Sequence, residues 1–174
     1  MNENRYIAQA VSRKDIRNYA KDLRKCLRLE NKEYIDIVWL MENVFPTLFK
    51  RYNFSVEYLP KEAMGSNHGL SDPRSGKIFI REDVYEGACR GVGRDRLTFA
   101  HELGHFLLHN GVTIGLARAG EKEEIPIYCD PEWQATVFAA EFLMDHDLIQ
   151  KMTVNEVAQR CGVSVQAAQI QKEK

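Results

Sequence analysis

The chain has 174 residues, of which 44% are hydrophobic and 28% are charged, and its formal net charge is −1. This length and composition are typical of a globular protein with one domain, or one domain and a small appendage. The near-zero charge excludes a global field that attracts nucleic acid or a membrane surface. The first residues are polar and no apolar stretch approaches a bilayer span, so we expect a cytoplasmic protein without a membrane partner.

Two helices are predicted in the first third of the chain. Residues 4–29 carry apolar side chains at roughly helical spacing, and residues 33–51 carry a second such pattern, which Pro46 should bend or end. The first helix is rich in arginine and lysine. We interpret these cations as a solvated helix face rather than as a patch that binds nucleic acid.

Strands are predicted at residues 53–59 and 76–82, where apolar and polar side chains alternate. The sequence SDPRSG between them is typical of a turn. Residues 86–95 are then predicted to form a loop, which leads into a helix over Leu97–His109.

The last third of the chain begins with residues 110–131, which carry three glycines, two prolines and the charged run EKEE. This composition predicts a surface excursion, and we hypothesise that it acts as a lid. A long apolar helix is predicted at 131–150, with Pro131 suited to its first turn. The tail after residue 152 predicts a helix, a G-V-S turn and a second helix.

The four cysteines, Cys26, Cys89, Cys129 and Cys161, are isolated in the sequence and form no C-x-x-C pair. In a reducing compartment we expect them to be buried thiols. A zinc knuckle built from cysteines is therefore not expected.

The predicted helix Leu97–His109 contains the pattern His-Glu-x-x-His. On a helix, His101 and His105 lie about 40° apart and one turn along, so both imidazoles can reach one metal ion, with Glu102 on the neighbouring arc. The alternative is a pair of hydrogen-bonded core histidines. His109 lies ~12 Å along the axis from His101, too far to share that ion, so we expect it to be structural or at the rim of a cleft.

A catalytic zinc site needs a third protein ligand, and the helix at 131–150 offers candidates. Glu132 borders the apolar face of this helix, whereas Glu141 is predicted to point away from that face together with Gln134. We therefore expect Glu132 to be the ligand, and Glu141, Asp145 and His146 remain alternatives. A first-turn glutamate is also favoured by the helix dipole, which requires no metal.

Two motifs of this sequence resemble those of the ImmA/IrrE metallopeptidases. The resemblance rests on RDRLTFAHELGHFLLH (Arg94–His109), followed by EWQATVFAAEFLMD (Glu132–Asp145). The strand pair with KIFIREDVYEGA and the G-V-S turn add to it, so that it covers roughly residues 33–170. We expect an α+β, mainly helical zincin-like metallopeptidase domain with a small β-sheet and a C-terminal helix-turn-helix-like αα segment.

Three segments are predicted within this organisation. They are an N-terminal helical segment at 1–30, the metallopeptidase domain at 31–150 and a C-terminal helical hairpin at 151–174 packed on it.

The resemblance implies a gluzincin-like site with His101, His105 and Glu132 as metal ligands and Glu102 as the catalytic glutamate. Zn²⁺ is the expected metal, although Mn²⁺ or Fe²⁺ can bind the same ligand types. The implied substrate is a helix-turn-helix repressor encoded nearby, which the enzyme cleaves as the anti-repressor of a mobile element, prophage or stress regulon.

Two further positions bear on the expected site. Thr136 stands where many relatives carry Asn or Asp, and together with His109 it is a candidate for the surroundings of the ligands. Asp145 stands where a proline often ends the helix.

The alternative function is a non-catalytic, metal-containing regulator that binds a repressor or a toxin–antitoxin partner. Direct DNA binding by the C-terminal hairpin is not expected, because residues 150–174 are only mildly basic.

Overall fold

The computed structural model describes residues 6–72, 74–109, 117–118 and 125–174. The helices are α1 (Arg13–Cys26), α2 (Ile37–Trp39), α3 (Phe45–Leu48), α4 (Lys61–Met64), α5 (Glu82–Cys89), α6 (Gly93–His109), α7 (Pro131–Leu143), α8 (His146–Ile149), α9 (Val154–Cys161) and α10 (Val165–Lys172). The strands are β1 (Tyr6–Ile7), β2 (Ser55–Leu59), β3 (Gly69–Asp72), β4 (Lys77–Arg81) and β5 (Ala117–Arg118). The prediction of a mainly helical α+β fold is confirmed.

The first two helical segments are shorter than predicted because side-chain caps set their starts. Ser12 accepts a hydrogen bond from the Asp15 N–H and so begins α1. Asp36 does the same for Trp39 at the start of α2. The second segment continues through a π-helical turn at Leu40–Val44 into α3. Pro46 lies in the first turn of α3, so it marks a change of helical winding, and the helix continues past it.

The three-stranded sheet has the order β2-β4-β3. β2 and β4, the two predicted strands, are parallel, so they require the crossover that α4 and β3 supply. β3 was not predicted, and it pairs antiparallel with β4. The SDPRSG turn therefore joins β3 to β4, with Asp72 accepting hydrogen bonds from the Arg74 N–H and the Ser75 hydroxyl.

The structure also corrects the predicted loop at residues 86–95. Part of this segment belongs to α5, and α6 begins at Gly93, one turn before the predicted start. Of the predicted excursion at 110–131, residues 110–116 and 119–124 lie outside the described residues, and so does the hypothesis that they act as a lid. The described pair 117–118 forms β5, antiparallel to β1.

The core lies around α6 and α7, which pack against each other along most of their lengths. Gly104 makes this packing close: a Cβ atom at this position would lie 3.1 Å from both the Cα and the carbonyl oxygen of Ala135. Phenylalanines from both helices, including Phe99, Phe106 and Phe138, are fully buried beside this contact. α7 is in turn covered on its other side by α1.

The predicted C-terminal helix–turn–helix is confirmed as α9, a turn at Gly162 and α10. Buried Arg96 of α6 attaches this hairpin to the core, because its guanidinium donates to the carbonyl groups of Cys161 and Gly162 and to that of Ile35. Within the described part of the chain, no helix is both long and apolar enough to cross a bilayer.

Two predictions about charged and polar side chains were wrong. The basic face of α1 is not simply solvated: Arg24 is buried, and Arg13 and Arg17 pair with Glu141. Glu141 does not point away from the packed surface of α7 but is 1% exposed, and Gln134 is completely buried. The reason is that α7 lies between α6 and α1, so its buried arc is wider than its apolar stripe.

The expectation of four buried thiols was also wrong. Cys161 is buried and Cys129 is half-buried, but Cys26 and Cys89 are exposed. The exposed pair occupy the last residues of α1 and α5, where the helices reach the surface.

The buried Glu141 carboxylate should contribute strongly to stability, because it neutralises two arginines on α1. Glu141→Gln would leave both guanidinium groups without their counter-ion, so we expect a loss of roughly 3 kcal/mol in the free energy of unfolding, measured with urea. The matched control is Asp147→Asn, which removes the exposed pair between Lys21 and Asp147 on the same side of α1. This change should cost less than about 1 kcal/mol. Equal losses for the two variants would contradict the assignment.

Candidate metal centre

Helix α6 brings His101 and His105 together on one face. The residues are one turn apart, and their ring centroids are 4.6 Å apart. The two Nε2 atoms lie 2.9 Å from each other. Both residues are half-buried.

Glu132 joins this pair from the first turn of α7. Asp130 begins the helix by accepting a hydrogen bond from the Glu132 N–H, which directs the glutamate toward α6. Its Oε2 lies 3.2 Å from His101 Nε2 and its Oε1 lies 3.2 Å from His105 Nε2. Above all the contact with His101 holds the pKa of the Glu132 carboxyl well below its usual range, so Glu132 is an anion at neutral pH.

These three side chains fit a divalent metal ion. Their nitrogen and oxygen atoms all lie within 4.8 Å of one another. In a tetrahedral zinc site with bonds of about 2.0–2.1 Å, neighbouring ligand atoms are roughly 3.3 Å apart. The observed separations of 2.9 and 3.2 Å are close to that value. Two imidazoles and one carboxylate can therefore hold such an ion and leave a further coordination position for another ligand.

Glu102 lies beside this group but is not part of it. Its side chain is 6% exposed, and burial raises the pKa of its carboxyl, although the neighbouring His105 and His101 partly offset that effect. The Ser71 backbone N–H donates a hydrogen bond to the carboxylate. This contact makes β3, the strand that the sequence did not reveal, one wall around Glu102.

Gly69 allows β3 to pass close to Glu102. A Cβ atom at position 69 would lie 2.6 Å from Glu102 Cγ and 2.7 Å from its Oε1. Real Cβ contacts are almost never that short. Glycine is therefore required here by the glutamate, since its φ angle is not in the left-handed region.

His109 is buried within the structure and does not lie at the rim of a cleft; its exposed fraction is 2%. Its Nδ1 lies 3.0 Å from His105 Nδ1, and its Nε2 lies 2.9 Å from Gln134 Oε1. Burial lowers the pKa of His109 to about 4, so the ring is neutral at pH 7. His109 thus stands directly behind one of the candidate ligands.

Gln134 is a site residue that the sequence reasoning missed. Its amide nitrogen donates to the Gln9 carbonyl at 2.8 Å and to the Tyr128 carbonyl at 2.7 Å. One signal could have revealed it: α7 is apolar on most sides, and a polar side chain in such a helix is buried and needs partners.

Thr136 occupies the equivalent place behind His101. Its Oγ1 lies 3.3 Å from His101 Nδ1. The Nδ1 atom of each histidine is therefore linked to a different residue of α7. Thr136 contacts His101 directly, and Gln134 reaches His105 through His109. The threonine hydroxyl can accept a hydrogen bond from His101, as an asparagine or aspartate oxygen would.

A cleft of about 630 Å³ opens beside His101 and Glu102. It runs along α7 to the C-terminal helix α10. Its lining is mostly apolar and includes Leu97, Val137, Ala140 and Ile170. Asn67, His68 and Gly69, at and just before the start of β3, also line it. Its volume is comparable to that of several amino-acid residues.

Comparison with known proteins gives one family. The family model Peptidase_M78, described as the IrrE N-terminal-like domain, matches residues 49–171 of the chain. The matched region contains α6, α7, the three-stranded sheet, α9 and all but the last residue of α10. No curated protein matches the sequence.

The close approach of Gly69 to Glu102 can be tested by a double-mutant cycle. Gly69→Ala should lower the free energy of unfolding by roughly 1–3 kcal/mol, because the added methyl group overlaps the buried glutamate. In a Glu102→Ala background, the overlapping atoms are gone and the same change should cost much less. Urea unfolding of the four proteins measures the coupling. Additive effects would show that the clash is relieved elsewhere.

Proposed function

The chain belongs to the Peptidase_M78 family of IrrE N-terminal-like domains, and we propose that it is a zinc-dependent endopeptidase that inactivates a helix-turn-helix repressor by site-specific cleavage. Membership makes it a metallopeptidase of the ImmA/IrrE type. The observation that carries the proposal is the convergence of His101, His105 and Glu132 beside the buried Glu102.

In the proposed site, His101 and His105 bind the metal through Nε2 and Glu132 binds it through its carboxylate. When bound, the metal supplies Lewis-acid chemistry, which polarises the scissile carbonyl group and makes a water molecule more acidic. Zn²⁺ is the metal we propose, and Mn²⁺ or Fe²⁺ are the competitors for the same ligand set. The anionic Glu132 keeps the charge of the loaded site low.

Glu102 is the general base of the proposed reaction. It accepts the proton of the attacking water and then delivers it to the amine of the departing peptide. Burial raises its pKa, which brings a carboxylate closer to the value at which it can both accept and release a proton near neutral pH. The Ser71 N–H and the passing strand at Gly69 hold the carboxylate in place while it does so.

The cleft supports a peptide substrate. β3 is an edge strand of the sheet, so an extended peptide can pair with the backbone groups of its outer edge that Glu102 does not already use. The apolar lining that continues to α10 offers sites for apolar side chains. A cleft lined by residues of α6, α7 and α10 and by Gly69 of β3 favours cleavage at one sequence over general digestion.

The proposal that the substrate is a repressor rests on the ImmA/IrrE resemblance. Cleavage of a repressor would take place in the cytoplasm. The competing proposal is a regulator that binds a repressor or toxin–antitoxin partner without cutting it. Glu102 is present, is held by a hydrogen bond from Ser71, and has room because position 69 is glycine. These observations favour the enzyme over the regulator that only binds.

The first test compares protein N-termini in cells that express the wild type or Glu102→Gln. The substitution keeps the shape of the side chain and removes the base, so it should bind metal normally and lose cleavage. We expect a new N-terminus inside a helix-turn-helix repressor with the wild type only. The same N-termini in both strains under inducing conditions would favour the binding regulator.

Metal content of purified variants provides the control for that comparison. His101→Ala should lose both metal and cleavage, and Glu132→Ala should bind metal much more weakly. Glu141→Ala should bind it normally, because Glu141 pairs with Arg13 and Arg17 on the far side of α7. A reversed order for the two glutamates would refute the ligand assignment.

Substrate recognition by α10 can be tested with two exposed apolar residues on that helix. Ile170 lines the cleft and is 51% exposed, whereas Val165 is 56% exposed and does not line it. Ile170→Lys should reduce kcat/KM for the cleaved repressor by about tenfold, as expected when one apolar side chain loses its contact. Val165→Lys adds the same charge and should have little effect. Equal losses would mean that net charge, not the cleft, controls binding.

A further inference from the structure

We propose that Gln134 and His109 are positioning residues that fix the tautomer of His105, so that its Nε2 carries no proton and is free to bind a metal. The inference rests on the proposed function only in taking His105 as a ligand. The hydrogen-bond pattern behind it is a property of the protein without metal.

The chain of hydrogen bonds starts at the Gln134 amide. Its Nε2 has two hydrogens, and two carbonyl oxygens receive them, those of Gln9 at 2.8 Å and Tyr128 at 2.7 Å. Carbonyl oxygens cannot donate, so the amide cannot be turned around without placing oxygen against oxygen. Gln134 Oε1 must therefore face His109, where it can only accept.

The next bond sets the proton of His109. Its Nε2 lies 2.9 Å from Gln134 Oε1, so this nitrogen carries the hydrogen and donates. A neutral imidazole has one N–H, which leaves Nδ1 of His109 as an acceptor. The charged form is disfavoured because the ring is 2% exposed and its two nitrogens contact an amide oxygen and another imidazole.

The last bond sets the proton of His105. Its Nδ1 lies 3.0 Å from His109 Nδ1, an acceptor, so His105 must donate from Nδ1. Its Nε2 is then bare, and this is the atom that lies 3.2 Å from Glu132 Oε1 and 2.9 Å from His101 Nε2. A His105 in the opposite tautomer would direct an N–H at the place where the ligand atoms meet.

The two histidines are thus controlled differently. His101 has the Thr136 hydroxyl near Nδ1, at 3.3 Å, and a hydroxyl can either donate or accept. It leaves the tautomer of His101 free. Among the described residues, His105 is the one of the two whose Nδ1 faces an acceptor, His109 Nδ1, that a third residue, Gln134, fixes as an acceptor.

The first experiment measures tautomers without any metal. Nitrogen-15 chemical shifts of the histidine rings in the metal-free wild type should show His109 protonated on Nε2 and His105 protonated on Nδ1. In Gln134→Met, which keeps the volume and removes the acceptor, both rings should shift toward a mixture of tautomers. Protonation of His109 on Nδ1 in the wild type would overturn the proposal, and so would unchanged shifts in Gln134→Met.

The second experiment measures zinc affinity by competition with a chelator. Gln134→Met and His109→Phe should each weaken Zn²⁺ binding by about 10–100-fold, the usual effect of removing a partner behind a metal ligand. The matched control is Gln171→Met, which removes another buried glutamine amide, one that donates to the Met144 carbonyl and accepts from Arg13. It should lower stability by a similar amount and leave zinc affinity unchanged.

The outcomes separate this proposal from the proposed function. Tight zinc binding by both Gln134→Met and His109→Phe would overturn the positioning role and leave the peptidase intact. A wild type that binds no zinc but shows the expected tautomers would refute the metal site. It would still support the hydrogen-bond chain from Gln134 through His109 to His105. If His109→Phe does not fold, the tautomers of the wild type and Gln134→Met still decide.

Discussion

The close packing of α6 on α7 at Gly104 is the constraint on which the site depends. Gly104 lets the backbone of α7 approach until a Cβ atom would be only 3.1 Å from Ala135. At this separation the first turn of α7 places Glu132 within 3.2 Å of both imidazoles. A larger residue at position 104 would separate the helices and draw the carboxylate out of reach. The ligand group is therefore a product of helix packing and not of α6 alone.

The same packing explains why four polar side chains in and beside the site are buried and paired. Glu102, His109, Gln134 and Glu141 are all buried in or beside this helix pair. Each has a partner that compensates for the water it has lost: a backbone N–H, an imidazole, two carbonyls or two arginines. Buried networks of this kind hold side chains in one arrangement, which a metal site and a general base both require.

The sequence predicted the local part of this arrangement well, because helix geometry alone relates His101, Glu102 and His105. It also singled out Glu132, at the edge of an apolar face, as the glutamate of the second helix that lies beside these histidines. It failed for Gln134 and Glu141, since a sequence pattern cannot show that α1 covers the second side of α7. β3 escaped notice because it is four residues long, begins with glycine and lacks a clear alternation. The errors share one cause: each depended on which distant element packs against the residue.

The hydrogen-bond chain from Gln134 through His109 to His105 has a consequence for the order in which the molecule folds. His105 and His109 are four residues apart and meet as soon as α6 forms, whereas His101 and Glu132 are 31 apart and Gln9 and Gln134 are 125 apart. Contacts across long loops carry a larger entropic cost and are made later. We therefore expect the histidine pair to form early, and the tautomer of His105 to be set only when Gln9 packs against the start of α7. Assembly of this centre reports completion of the fold.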